Sequence, residues 1–216
     1  MEIISHRGYW IDPKEKNTIS AFQRSFSMGF GTETDLRDLN GKIVISHDMP
    51  RSSDNPLLFS DFLRLYSESG CSGILALNVK SDGLQIEVAN LIRQHDTQRY
   101  VLFDMSVPDQ LLTKRTGLNY LTRMSDIEPV PCLLDQADGI WLDEFEDGWL
   151  TSSILDEVLH TKKKIFVVSP ELHGRDHIKR WNLLKSYRKS DVVLCTDFPI
   201  EARTFFGGEF DQSDYF

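Results

Sequence analysis

The 216-residue chain is short of several things that would decide its class at once. It has no long apolar run: Glu2 and His6 bracket the first hydrophobic letters, so the sequence offers neither a secretory leader nor a span able to cross a bilayer, and the cytoplasm is the expected compartment. It has only three cysteines, Cys71, Cys132 and Cys195, widely spaced and without a C-x-x-C pair. That excludes a disulfide framework and a cysteine zinc site and points to reduced, packed thiols. Basic residues are outnumbered, 24 Lys and Arg against 33 Asp and Glu, for a net charge of -9. A general nucleic-acid binder is excluded, because phosphate backbones are held by clustered cations. Any anionic ligand must be met locally. Repeats, low-complexity tracts and Gly/Ser linkers are also missing, which suits one globular unit with 40% hydrophobic residues for its core, with two small domains as the alternative.

What is present is alternation. β-rich runs occur at Ile3 to Ser5, Thr32 to Leu36, Ile74 to Val79, Tyr100 to Phe103, Asn119 to Thr122, Gly139 to Leu142, Ile165 to Val168 and Val192 to Cys195. Amphipathic stretches separate them. Ile19, Phe22, Phe26 and Phe30 follow an Asn17-Thr18 cap, and Leu84, Val88, Leu91, Ile92 and His95 share one face. Pro108, Ser153, Asp176 and Pro199 mark further helix starts. Eight strand-helix units define an α/β fold, a (β/α)8 TIM barrel over residues 1–206, with an open doubly wound sheet as the alternative. The remainder, 207–216, reads as an acidic aromatic tail.

One connection is too short for a crossover helix. "TETDLRDL", "NGK" and "IVISHD" form a β-hairpin after strand 2. A two-residue Asn40-Gly41 turn sets Asp35 opposite Ser46; a three-residue turn with Gly41 in a bulge sets His47 opposite Glu33 and Ile45 opposite Asp35. The second is the expected form, because it alone brings His47 and both acids to one face.

The loops after barrel strands form the active face, and here every strand ends on polar or charged residues: His6-Arg7, Glu33-x-Asp35, Asn78-x-Lys80, Asp104, Arg123, Asp143-Glu144, Ser169 and Thr196-Asp197. Glu33 and Asp35, two apart, share a face. Two adjacent carboxylates repel, and a hard divalent cation with oxygen ligands, Mg2+ or Ca2+, resolves the conflict. His6 and His47 flank that position as a general base and a general acid would in opening a phosphodiester, with Arg7 on the nonbridging oxygens.

"SHRG", "EKNTISAF", "GFGTETDLRDLNGKIVISHD", "LALNVK" and "DVVLCTDFPIEA" resemble, in order and spacing, the glycerophosphodiester phosphodiesterase family of metal-dependent TIM-barrel enzymes. The likeness is strongest over the first 50 residues. It implies His6 and His47 as catalytic histidines, Arg7 and Lys80 as phosphate-binding cations, and Glu33, Asp35 and the Asn78 position as metal ligands. It also implies attack by a neighbouring substrate hydroxyl, with a cyclic phosphate opened by water. The expected activity is hydrolysis of a glycerol- or polyol-linked phosphodiester, with a small molecule or a glycan or lipid head group as substrate and neither nucleic acid nor stable membrane insertion. A noncatalytic phosphodiester- or phosphosugar-binding barrel with a weakened metal site is the alternative.

Three departures from the family pattern bear on that expectation. Asn78 stands where a glutamate is usual, which removes one negative charge; Asp104 or Glu171 is a candidate to compensate. Lys16 occupies the glutamate position of the family's "PENT", with Glu15 on another bearing. The segment after His47 passes to a helix almost at once, leaving a more open mouth and hinting at a larger or polymer-attached substrate. Glu171, His173 and Arg175, after strand seven, are further candidate substrate contacts.

Overall fold

A computed structural model describes residues 1–207. Of the expected tail only Gly207 falls among them; 208–216 lie outside the described residues.

The chain runs β1 (Glu2–His6), α1 (Ile19–Ser27), β2 (Gly31–Leu39), β3 (Lys42–Ile45), α2 (Phe59–Ser69), β4 (Leu75–Val79), α3 (Gln85–Gln94), β5 (Tyr100–Phe103), α4 (Val107–Arg115), β6 (Leu121–Ser125), β7 (Gly139–Asp143), α5 (Ser152–His160), β8 (Lys164–Val168), α6 (Ile178–Leu184), β9 (Val192–Thr196) and α7 (Pro199–Phe205). Eight strands lie in the order β5-β4-β2-β1-β9-β8-β7-β6, and their pairs are parallel. The seam between β5 and β6 is thin: a bridge joins Leu102 to Tyr120, and the Leu102 amide donates to Asn119 O at 2.9 Å. The sheet is thus a nearly closed (β/α)8 barrel.

Seven of the eight units carry an α-helix. Between β6 and β7 the described chain has only a 3-10 turn, Leu134–Gln136. Pro129 and Pro131 in this stretch supply no amide donor and disfavour helix at the residue before each. Helix starts follow local chemistry. Thr18 caps α1 through its hydroxyl, and Pro108 and Pro199 occupy first-turn positions of α4 and α7. Thr151, rather than Ser153, caps α5, because its hydroxyl accepts from the Ile154 amide. Asp176 serves α6 from outside, its carboxylate accepting from the Ile178 amide at 3.1 Å.

The hairpin takes the other register. Leu36 pairs with Ile45 and Leu39 with Lys42, and the Ser46 amide donates to Asp35 O, so Ser46 rather than Ile45 stands opposite Asp35. Asn40 and Gly41 have φ of 52° and 75°, the two-residue turn with both central residues left-handed, whose twist matches the strands it joins. His47 therefore lies beyond the ladder.

Alternation along each strand stacks the barrel interior in layers. Ile4, Ile74, Ala76, Val101, Phe103, Leu121, Trp141, Phe166, Val168, Val193 and Cys195 pack inside as an apolar plug. The opposite strand faces meet the helices, where Phe22, Phe26, Phe59, Phe62 and Tyr66 join α1 and α2. Above the plug the same parity delivers His6, Glu33, Asp35 and Asn78 to the mouth, with His6 level with Glu33 and Asp35 level with Asn78.

Candidate active site

A mouth cavity of about 460 Å³ is lined by His6, Arg7, Lys16, Glu33, His47, Asn78 and Lys80 on one side and by Phe103, Asp104, Trp141, Asp143, Phe145 and His173 on the other. A larger cavity of about 570 Å³, lined by Arg175 and Arg180 among others, has no histidine in its wall. The two candidate histidines, His6 and His47, line the first.

At the end of β1 the backbone turns sharply. Arg7 and Gly8 both have positive φ, 59° and 85°, and a side chain on Gly8 would come within 2.7 Å of the Ala21 Cβ. The glycine lets the strand end beneath α1 while Arg7 turns to the cavity. Arg7 Nε lies 3.0 Å from Asp35 Oδ2, and Lys80 Nζ lies 3.6 Å from Asp35 Oδ1. Asn17 donates to Asp35 Oδ2 at 2.9 Å and accepts from Thr34.

His6 is held from behind. Its Nδ1–H donates to Asp197 Oδ1 at 2.7 Å, since a carboxylate can only accept, and this leaves Nε2 unprotonated, 3.9 Å from Glu33 Oε2. Burial pushes the His6 pKa below its usual 6.5 against the pull of Asp197, and the charges of Arg7 and Lys16 push the same way as burial. The ring is therefore neutral and basic at Nε2 near neutral pH. Asp197 stays below the usual carboxylate range although its burial opposes this, because His6 and Lys16 both favour its charge.

Glu33 is pushed far the other way, by burial first and by the neighbouring Asp35 charge second, with Arg7 and Lys80 opposing. Three buried oxygens here have no hydrogen-bond partner: Glu33 Oε2, Asp35 Oδ1 and Asn78 Oδ1. Orphaned acceptors on two adjacent strands are costly unless a cation or a proton meets them. The carbonyl and carboxylate oxygens fit a hard divalent ion, although among the described residues no group of three His, Cys, Asp or Glu side chains stands ready for a metal.

Neither candidate for the missing charge is free. Asp104 accepts from Arg123 at 2.9 Å and from Asn78 Nδ2 at 3.4 Å. Glu171 accepts from the hydroxyls of Ser169 and Thr196 and from the Asp197 amide at 3.1 Å, which makes it a brace behind Asp197 outside the cavity wall. Arg175 likewise points elsewhere, to Glu144 and the larger cavity. Only His173 of that trio reaches the mouth, its Nε2–H donating to Asp143 at 2.6 Å and its ring against Phe145.

His47 reaches the mouth from the loop after β3. Its side chain is 48% exposed and its Nδ1–H donates to Asp48 at 2.7 Å, which leaves Nε2 free. Arg37 fixes the loop by donating from Nε to His47 O at 2.9 Å and from Nη1 to Lys80 O at 3.3 Å. Glu15 faces away, accepting from Ile11 and Arg24, whereas Lys16 crosses to Asp197 at 3.2 Å. Sequence reasoning left Asp197, Lys16 and Arg37 without these tasks. The strand-end position of Asp197 was the one available signal. Trp141 forms the floor, stacked 3.8 Å from Phe103, and Trp149 packs against the outer core; the three thiols are free, and burial holds that of Cys195 well above its usual range.

No family model and no curated protein matches the sequence. Solved structures do. A glycerophosphodiester phosphodiesterase from Agrobacterium tumefaciens superposes with a TM-score of 0.67 at 17% identity, covering 95% of this chain and 98% of its own. A glycerophosphoryl diester phosphodiesterase from Parabacteroides distasonis gives 0.68 at 14%, covering 94% and 85%. An Oleispira antarctica phosphodiesterase in complex with the product sn-glycerol-3-phosphate gives 0.66 at 16%, covering 95% and 96%. At these identities the likeness establishes the barrel fold.

Proposed function

We propose that this protein is a cation-dependent phosphodiester hydrolase of the glycerophosphodiesterase kind, acting on a glycerol- or polyol-linked phosphodiester. The observation that carries the reading is the set of three buried oxygens without a hydrogen-bond partner, Glu33 Oε2, Asn78 Oδ1 and Asp35 Oδ1, the last with only Lys80 Nζ at 3.6 Å, beside a neutral His6 and Arg7, which also reaches Asp35. The sequence motifs and the solved phosphodiesterases of the same fold support it.

Arg7 and Lys80 turn from Asp35 to the nonbridging oxygens of the bound diester, where charge grows as phosphorus becomes five-coordinate. His6 Nε2 removes the proton of a hydroxyl next to the ester oxygen, and that hydroxyl oxygen attacks phosphorus. His47 protonates the departing alkoxide, so one P–O bond forms as another breaks and a cyclic phosphate remains. Water then opens the ring with the two histidines in exchanged roles. Asp197 holds the His6 ring and stabilises its cationic form. Glu33, Asp35 and Asn78 would hold a divalent ion, which would supply further positive charge against the growing charge on the phosphoryl group. The aromatic wall with Asp143 and His173 receives the alcohol portion.

The second reading, a barrel that binds a phosphodiester without cleaving it, is favoured by Asn78 and by Asp35 already having Arg7 and Lys80 as counter-charges. Phosphorus NMR of metal-stripped protein with a panel of glycerophosphodiesters, before and after Mg2+ or Ca2+, separates the two. Cation-dependent appearance of a monoester or cyclic phosphate supports hydrolysis. Binding of a diester with no new phosphorus signal supports the second reading.

A further inference from the structure

The large apolar side chains that remain exposed are unevenly distributed. Ile11, Met49, Ile127 and Val130 are 74%, 81%, 71% and 77% exposed, and Phe145 and Phe198 are also open to water. These six come from five different loops, those after β1, β3, β6, β7 and β9. All five leave the end of the barrel that carries the mouth, Ile127 and Val130 in the connection that has no α-helix. The other exposed apolar residues among those described lie in the first two positions of a helix, again at the mouth end, except Leu111 in the second turn of α4. The loops at the opposite end of the barrel contribute none of them.

Scattered exposed apolar residues need no explanation, but confinement to one rim does. The rim surrounds a pit whose wall carries Arg7, Lys16 and Lys80 together with the carboxylates of Glu33, Asp104 and Asp143. An apolar ring around a pit that offers both cations and carboxylates complements a surface with zwitterionic phosphodiesters at its face and hydrocarbon just beneath. Such a surface is a phospholipid bilayer.

We propose that the mouth docks on a zwitterionic phospholipid surface, with these side chains entering the interface and a phosphodiester head group entering the cavity; this rests on the cavity being a phosphodiester site. Asp48, Asp126 and Glu146 lie among the apolar positions, and the chain carries a net charge of -9, so an anionic leaflet is disfavoured. No helix among the described residues is long and apolar enough to cross a membrane, and the contact is peripheral. A protein partner fits less well, because the apolar groups ring the opening and a docked protein would plug it.

The test is sedimentation of the full chain with phosphatidylcholine vesicles, with phosphatidylcholine/phosphatidylglycerol vesicles and without lipid. It compares the natural protein with the Ile127→Asp/Val130→Asp double variant, with Met49→Asp, on a separate loop, as a second probe if the double variant fails to fold. The expected result is binding to phosphatidylcholine that weakens about tenfold or more in the variant, with hydrolysis of a water-soluble diester unchanged. Absence of vesicle binding, equal binding by natural protein and variant, or binding to the anionic vesicles alone would overturn the proposal. So would lipid-free self-association that the variant abolishes, which would identify a second copy as the occupant. Vesicle binding is read without turnover, so a protein that binds vesicles but cleaves nothing refutes the catalytic reading alone, and one that cleaves soluble diesters but ignores vesicles refutes the docking alone.

Discussion

Asn78→Asp is the sharpest perturbation of the cation site, because it adds one negative charge with almost no change of shape. Asn78 is only 6% exposed, sits level with Asp35 on the adjacent strand and donates to Asp104. Without a cation the new carboxylate loses that donation and faces Asp35 and Asp104. Asp104 is the nearer, at 3.4 Å from Asn78 Nδ2, and like charges about 4 Å apart at an effective dielectric near 20 repel by about 4 kcal/mol. Arg7, Lys80 and Arg123 stand close enough to offset much of this, which leaves a net loss of about 2 kcal/mol. For a chain of this size that lowers Tm by roughly 4 to 8 °C. With Mg2+ or Ca2+ the sign reverses, since the added charge attracts the ion; a gain of about 2.7 kcal/mol corresponds to a hundredfold tighter Kd. Calorimetric unfolding across a cation titration reads both limbs without any turnover. The variant should start below the natural protein in chelator and overtake it at saturating cation. Equal cation response in the two proteins would refute the assignment of Glu33, Asp35 and Asn78 as the cation's ligands.

Three other expectations follow from the same geometry. Asp197→Asn removes the charge behind His6 and leaves a single acceptor oxygen for which His6 and Lys16 compete, with an expected loss of about 10- to 100-fold in kcat. It should also lower the His6 pKa further in an NMR titration, because Asp197 opposes the shift caused by burial. In the folded protein His6 binds its proton less readily than at its ordinary 6.5, so its contribution to stability is complete above pH 6.5 and is lost as pH falls through the folded value. Denaturant unfolding against pH should show that decline, and His6→Ala should remove it. Arg37→Met frees the loop carrying His47, so kcat should fall about tenfold with KM little changed, and Arg37→Lys should recover part of it.

Much of this arrangement was legible in the letters. Parity alone placed Glu33 and Asp35 on one face, and the eight apolar runs are the eight parallel strands. The hairpin register follows its turn signal and not the chemical expectation: Asn40-Gly41 is a strong two-residue turn dipeptide, and the strands pair accordingly. His47 still lines the mouth because it lies past the ladder, where register no longer decides its direction. The lack of an α-helix between β6 and β7 agrees with Pro129 and Pro131 in that stretch. The partnerships of Asp197 with His6, Glu171 with Thr196 and Arg37 with His47 join residues that only barrel closure or loop folding brings together, and spacing along the chain carries no trace of them. Lys16 brings a cation to Asp197, a contact that only the folded chain makes visible.

The most direct test is a phosphorus NMR time course of the natural protein and His47→Ala, each with saturating Mg2+ and a glycerophosphodiester. Two-histidine catalysis predicts a monoester or cyclic phosphate from the natural protein and a rate lower by about 10²- to 10⁴-fold in the variant, with diester binding retained. Turnover unaffected by the substitution, or a natural protein that binds the diester and leaves it whole, would contradict the account.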